Sequence, residues 1–214
     1  MYFDYCPVGC VALAIGQIMA YHNYPNTISY IYSSGTKTTL SWVDYPSYFT
    51  SLTDDAKALA ELLRQIGESI HTSYHVSYSE ATADSVHVGL SSFGYSSGYP
   101  ETYSYNKIKA CINNTGPVLA FGVTSNGDGH SWVIEGYKTN RQYQVCEWSV
   151  YDPDGFFVGR WNSIVPGGIH DEKYVFCNWG CSGTSNGLYS DGLFNFYLGN
   201  YSNDCLIITG IEPY

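Results

Sequence analysis

Cys6-Pro7-Val8-Gly9-Cys10-Val11-Ala12-Leu13-Ala14-Ile15-Gly16-Gln17-Ile18-Met19-Ala20-Tyr21-His22 opens on a Pro and a Gly, places a cysteine directly after them, and continues without a charge to its end. Val11, Ala14, Ile15 and Ile18 recur at i, i+3, i+4 and i+7, the spacing of a helix face. The run is apolar nearly all round, so it reads as a buried helix. Cys10 then stands at or beside the first turn, where unpaired N–H groups and the positive end of the helix dipole meet. A thiol loses its proton most readily there, and the thiolate is the nucleophile. A cysteine beside a buried helix is more often an inert small apolar residue than a catalyst, so Cys10 acquires chemistry only through a partner.

Composition narrows the field. The 214 residues suffice for one domain with two lobes around a cleft. Only 13% are charged, against roughly 25% in ordinary soluble domains. The polar surface therefore falls to Ser, Thr, Asn, Gly and the 22 tyrosines, which suit an uncharged wettable exterior or an aromatic-lined groove. A net charge of −10 opposes nucleic acid and anionic membrane surfaces as partners. No apolar run is long enough to span a bilayer, and Met1-Tyr2-Phe3-Asp4-Tyr5 lacks the build of a signal peptide. The seven cysteines leave at least one free thiol. Cys177 and Cys181 form a C-x3-C pair with no second pair at ligand spacing, so neither a metal nor another cofactor is expected.

Along the chain, Tyr24-Pro25-Asn26-Thr27 ends the first helix. Residues 28–50 read as short strands or extended loop, through Ile28, Tyr30 and Tyr32. Thr53 is expected to cap a second helix whose first turn carries Asp54 and Asp55 and whose face is Leu59, Leu62, Leu63 and Ile66, with Gly67 near its end. His71 and His75 fall in a Ser/Tyr-rich loop and read as surface histidines. A third helix is expected from Ser79 to Phe93, and a fourth near Ser104–Asn113 with Ile108, Cys111 and Ile112 inward.

From Gly116 the pattern turns to strands. Pro117–Val123 is a continuous apolar run, Asn126-Gly127-Asp128-Gly129 is tight-turn chemistry, and His130–Tyr137 is the return strand. Further strands are expected near 142–151, 173–178, 193–197 and 205–211. The whole predicts an α+β fold: a helical lobe over about 1–114 packed on an antiparallel sheet lobe over about 115–214, as one domain.

His130 heads its strand between Gly129 and Ser131, where an imidazole is closely packed yet reachable. A helix-start thiol and a strand-start imidazole are the two parts of a thiolate–imidazolium pair, in which the imidazole takes the thiol proton and later hands it to a leaving amine. Cys10 first, His130 far downstream and Asn178 last is the papain-type order.

Three segments carry a more specific likeness. Gly9-Cys10-Val11-Ala12 with Gln17–Pro25 resembles the nucleophile helix of the streptopain family of papain-like cysteine peptidases. Gly129-His130-Ser131-Trp132-Val133-Ile134-Glu135-Gly136-Tyr137 is similar to that family's histidine strand. Cys177-Asn178-Trp179-Gly180, with Gly183 and Asn186-Gly187, is similar to its Asn-Trp-Gly segment, and Gly210–Pro213 to its last strand. The resemblance implies a papain-like two-lobe fold and a cysteine endopeptidase acting through an acyl-enzyme. Cys10 would be nucleophile and His130 general base and acid. Asn178 or Trp179 would orient the imidazole, through the Asn amide or a backbone carbonyl. Trp179 would also shield the pair from water, and Gly129, Ser131 and Cys181 would wall the substrate cleft. It further implies secretion as a zymogen and a hydrophobic preference near the scissile bond. The expected partners are a protein or peptide substrate and a propeptide or inhibitor in the cleft, with the protein a monomer.

Two departures accompany the likeness. Mature members carry further residues before the nucleophile, including a Gln of the oxyanion hole. Nine residues precede Cys10 here and none is Gln, so the chain is expected to lack an N-terminal segment. Losing one such donor costs on the order of 10²–10³ in rate. Cys181 stands where relatives carry a cleft tryptophan. The competing expectation is therefore a non-catalytic relative that keeps the fold and holds peptide or glycan.

Overall fold

The computed structural model describes residues 7–29, 37–39 and 54–214. The proposed Thr53 cap, Cys6, and most of the expected strands of 28–50 lie outside them. Within that region Thr27–Ser29 pairs antiparallel with Lys37–Thr39.

Four helices are described: α1 (Cys10–His22), α2 (Asp54–Ser69), α3 (Asp84–Ser91) and α4 (Tyr105–Asn114). α1 forms where the sequence places it. Val11, Ala12, Ala14, Ile15, Ile18 and Met19 are each no more than 4% exposed, which is why the run needs no polar face. Asn23 adopts a left-handed conformation (φ 53°) that ends the helix, and the His22 ring is 2.8 Å from the carbonyl of Ile211, anchoring that end to the C-terminal segment. Gly16 lets α2 approach closely: a Cβ there would lie 2.6 Å from Leu63 Cδ2.

Gly9 controls the entry. Its φ of +91° is costly for any residue with a Cβ, and that Cβ would sit 3.3 Å from Cβ of Ser79. Gly9→Ala should lower unfolding free energy by about 1–2 kcal/mol, read as a lower urea midpoint at unchanged m-value.

Six strands build the central antiparallel sheet: β1 (Glu101–Thr102), β2 (Val118–Val123), β3 (Gly129–Tyr151), β4 (Phe157–Asn178), β5 (Gly187–Ser190) and β6 (Asn203–Ile208), in the spatial order β5-β4-β3-β2-β6-β1. Alternation along the strands divides the core between the two sheet faces. Leu119, Val133 and Ile208 join α1, α2 and α3 in one cluster. Val118, Ala120, Trp132, Ile134 and Ile207 face a second cluster with Trp179, Phe194, Phe196 and Tyr201. Ile108 and Cys111 of α4 belong to this second cluster, so the fourth helix covers the opposite face of the sheet from the other three.

Two expected elements change shape. The third helix starts only at Asp84, because Ser79 and Glu80 pair with Ser73 and Tyr74 as a short ribbon and Ser79 Oγ donates to the Pro7 carbonyl. The strands expected at 142–151 and 173–178 belong to one long hairpin, β3–β4, paired from Val133–Asn178 out to Tyr151–Phe157. Pro166-Gly167-Gly168 does not break it. The extra residues are absorbed in an irregularity between the Tyr143–Ile169 and Val145–Ile164 pairs. The outer ribbon is exposed, with Trp148 and Trp161 opposite one another and Arg141 paired in two bonds (2.7 and 2.8 Å) with Asp171.

Candidate active site

Cys10 is the first residue of α1, so its sulfur meets N–H groups that no helix carbonyl takes up. Burial pushes the thiol above its ordinary range. The backbone N–H groups of Ser131, Val11 and Cys10 itself point at the sulfur and work the other way. The Ser131 contact brings the start of β3 against the start of α1, and Ser131 is the neighbour of His130. Cys10 and His130 line one cleft of about 790 Å³, whose walls come from residues 78–83, from β2 and the turn before β3, and from β6.

The His130 ring is surrounded by aromatic side chains. Ring centroids lie 5.4 Å away for Tyr201, 5.6 Å for Phe196, 5.8 Å for Trp179 and 6.4 Å for Trp132. Such burial draws the imidazole below its usual range, against the opposing effect of the Trp179 carbonyl. Nε2 lies 3.3 Å from that carbonyl. A carbonyl only accepts, so Nε2 carries the proton and Nδ1 keeps a lone pair. The ring is thus held as the tautomer a general base requires.

The group that orients His130 is therefore the backbone of Trp179. The Asn178 side chain is engaged elsewhere: its Oδ1 accepts from Gln17 Nε2 and from the Gly180 N–H, both at 3.2 Å, and its Nδ2 faces Glu135. Asn178 ties the segment to α1 and shapes the turn. It does not touch the imidazole, because the turn it caps swings its amide towards α1. The Trp179 N–H donates to Asn186 Oδ1 at 2.9 Å, which fixes the peptide from the other side. The Trp179 indole is 1% exposed and stacks on Phe196 at 4.4 Å and 9°.

Among the expected cleft residues, Gly129 lines the cavity. Ser131 does not: it is 2% exposed and its hydroxyl donates to the Ala120 carbonyl, so it serves the site through its backbone N–H. Cys181 lies outside the residues walling this cavity, and its thiol donates to the Trp179 carbonyl at 3.7 Å. Sequence reading gave no role to Gln17, Asn186, Phe196 or Tyr201. Gln17 had a signal, a lone amide in an apolar helix. The aromatic pair had none, since only the fold of residues 194–201 brings it to His130.

The family model of the peptidase C10 family matches residues 2–189. Among curated proteins, streptopain of Streptococcus pyogenes (serotype M28) is 30% identical over an alignment covering 78% of this chain and 48% of streptopain. The thiol protease/hemagglutinin PrtT of Porphyromonas gingivalis is 25% identical, with 96% of this chain and 23% of that protein covered. The chain thus spans about half the length of streptopain, and less of PrtT. Among solved structures, the active wild-type interpain A cysteine protease of Prevotella intermedia superimposes with a TM-score of 0.65 at 21% identity, covering 99% of this chain and 86% of that one. The fold is accordingly the papain-like α+β fold.

Proposed function

Since the chain belongs to the peptidase C10 family, we propose that it is a cysteine endopeptidase in which Cys10 Sγ attacks the substrate carbonyl. His130 Nδ1 takes the thiol proton and passes it to the leaving amine. Water then hydrolyses the Cys10 thioester, with His130 acting as base once more. The N–H groups of the first turn of α1 are the donors available to the developing oxyanion. Trp179 holds the imidazole by its carbonyl and covers it with its indole. The observation that carries this reading is the bond from His130 Nε2 to the Trp179 carbonyl, in a ring that shares its cleft with the thiol.

Burial opposes charge on each group alone. Moving the proton from Sγ to Nδ1 creates both charges together, and their attraction offsets the burial of each, so the two groups titrate as a pair. A second reading, a peptide- or glycan-binding relative without hydrolysis, draws on the same burial, which favours the uncharged thiol and imidazole. Cys10→Ala decides between them. Loss of all turnover of an unfolded protein substrate, read by gel and mass spectrometry, supports the peptidase. Peptide binding with no turnover by the unmodified chain would support the second reading. The proposal extends to export from the cell, to a monomer, and to a propeptide or inhibitor as a further occupant of the cleft.

A further inference from the structure

The cleft that holds Cys10 and His130 has one sign of charge. Glu80 from the helical side, Asp128 from the turn before β3 and Asp204 from β6 all border it, and no Lys or Arg is among the described residues that line it. Among the described residues, no ion pair joins any of the three to a lysine or arginine. Glu80 has His75 Nε2 at 3.9 Å, and Asp128 Oδ2 accepts from Thr124 Oγ1 at 3.4 Å. Asp204 is an exposed residue at the irregularity where β6 slips against β2, with a φ of +46°. A bulge of this kind re-aims a side chain, and here it sets a carboxylate at the cleft border. Between the acids the wall is apolar, made by Phe121, Val123, Leu206 and Ala83.

We propose that this cleft selects peptides bearing a lysine or arginine next to the scissile bond. The apolar wall takes the aliphatic stem and the carboxylates take the cationic head, the division of labour such side chains adopt at partly wet surfaces. The inference rests on the peptidase reading and names the substrate class for it. It departs from the hydrophobic preference implied by the family resemblance. The chain's net charge of −10 acts in the same direction, drawing cationic substrates to the cleft and repelling acidic ones. Because the three carboxylates are exposed, the gain is modest and sensitive to salt.

The test uses the full chain carrying Cys10→Ala and fluorescein-labelled peptides of one alanine-rich sequence. Lysine, arginine, norleucine or glutamate is placed in turn at each position around the expected cut, and binding is read by anisotropy. Lysine or arginine at one position should bind about tenfold tighter than norleucine at low salt, with glutamate weakest. In 0.5 M NaCl the advantage should shrink to about twofold or less. Adding Glu80→Gln, Asp128→Asn and Asp204→Asn together should abolish it. Norleucine binding as tightly as lysine, a preference that survives the triple substitution, or no binding by any peptide overturns the proposal. Turnover of the norleucine peptide by the unmodified chain with no basic preference sinks this inference alone and leaves the peptidase reading standing.

Discussion

At pH 7, His130→Ala should slow alkylation of Cys10 by iodoacetamide about a hundredfold and reduce peptide turnover by at least about a thousandfold. Without the imidazole, burial outweighs the backbone N–H groups at the sulfur and holds the thiol above its ordinary range. The neutral thiol therefore dominates at neutral pH. The variant's labelling rate should climb as a single limb only in the alkaline range, as the raised thiol loses its proton. If the proposed pair operates in the unmodified chain, His130 Nδ1 accepts the Cys10 proton across the cleft they share, and labelling should already be substantial near neutrality. Tryptic mass spectrometry of the Cys10 peptide across pH 5–10 separates the two profiles. The described cysteines are all free thiols and provide internal references in the same sample. Equal profiles for the two proteins would remove His130 from the chemistry.

Trp132→Ala should be the most destabilising of the simple substitutions, at about 3–5 kcal/mol. Trp132 is 1% exposed and lies between Trp179 (4.7 Å between centroids) and Phe194 (5.0 Å), with His130 stacked beyond. A cavity of indole size there removes contacts from the sheet core and from the support of the imidazole together. Against a usual total of about 5–15 kcal/mol, the loss consumes a large part of the stability. Urea unfolding followed by far-UV circular dichroism should show the midpoint falling sharply. Trp132→Phe should recover more than half of the difference, because a phenyl ring fills much of the volume. A midpoint for Trp132→Ala within experimental error of the unmodified chain would mean that this aromatic stack does not carry the sheet's second core.

The two halves of the proposed machinery were legible to different degrees. Cys10 and the extent of α1 follow from local pattern: a charge-free helical repeat behind a Pro and a Gly leaves little else for the segment to be. His130 was marked by its place after a Gly-rich turn. The orienting group was not marked. Asn178 and Trp179 are adjacent, and the imidazole N–H could donate to the side-chain amide oxygen of the first or to the backbone carbonyl of the second. Gln17, 161 residues before Asn178, draws that residue's amide away towards α1. The spacing of Ser79–Ala83 is compatible with a helix, but Ser79 and Glu80 instead pair with Tyr74 and Ser73, so the third helix begins only at Asp84.

The order of elements, the buried first helix and the helix-then-sheet division were present in the residues themselves, because each depends on patterns within short segments. Four things depended on the chain closing on itself. The Trp179 carbonyl became the partner of His130, four aromatic rings gathered around one imidazole, β3 and β4 joined into a single ribbon, and Glu80, Asp128 and Asp204 came to border one cleft. The reason is common to all four. Hydrogen-bond direction, ring stacking and the summed field of separated charges are set by distances in space between segments far apart along the backbone, and local periodicity carries no record of those distances.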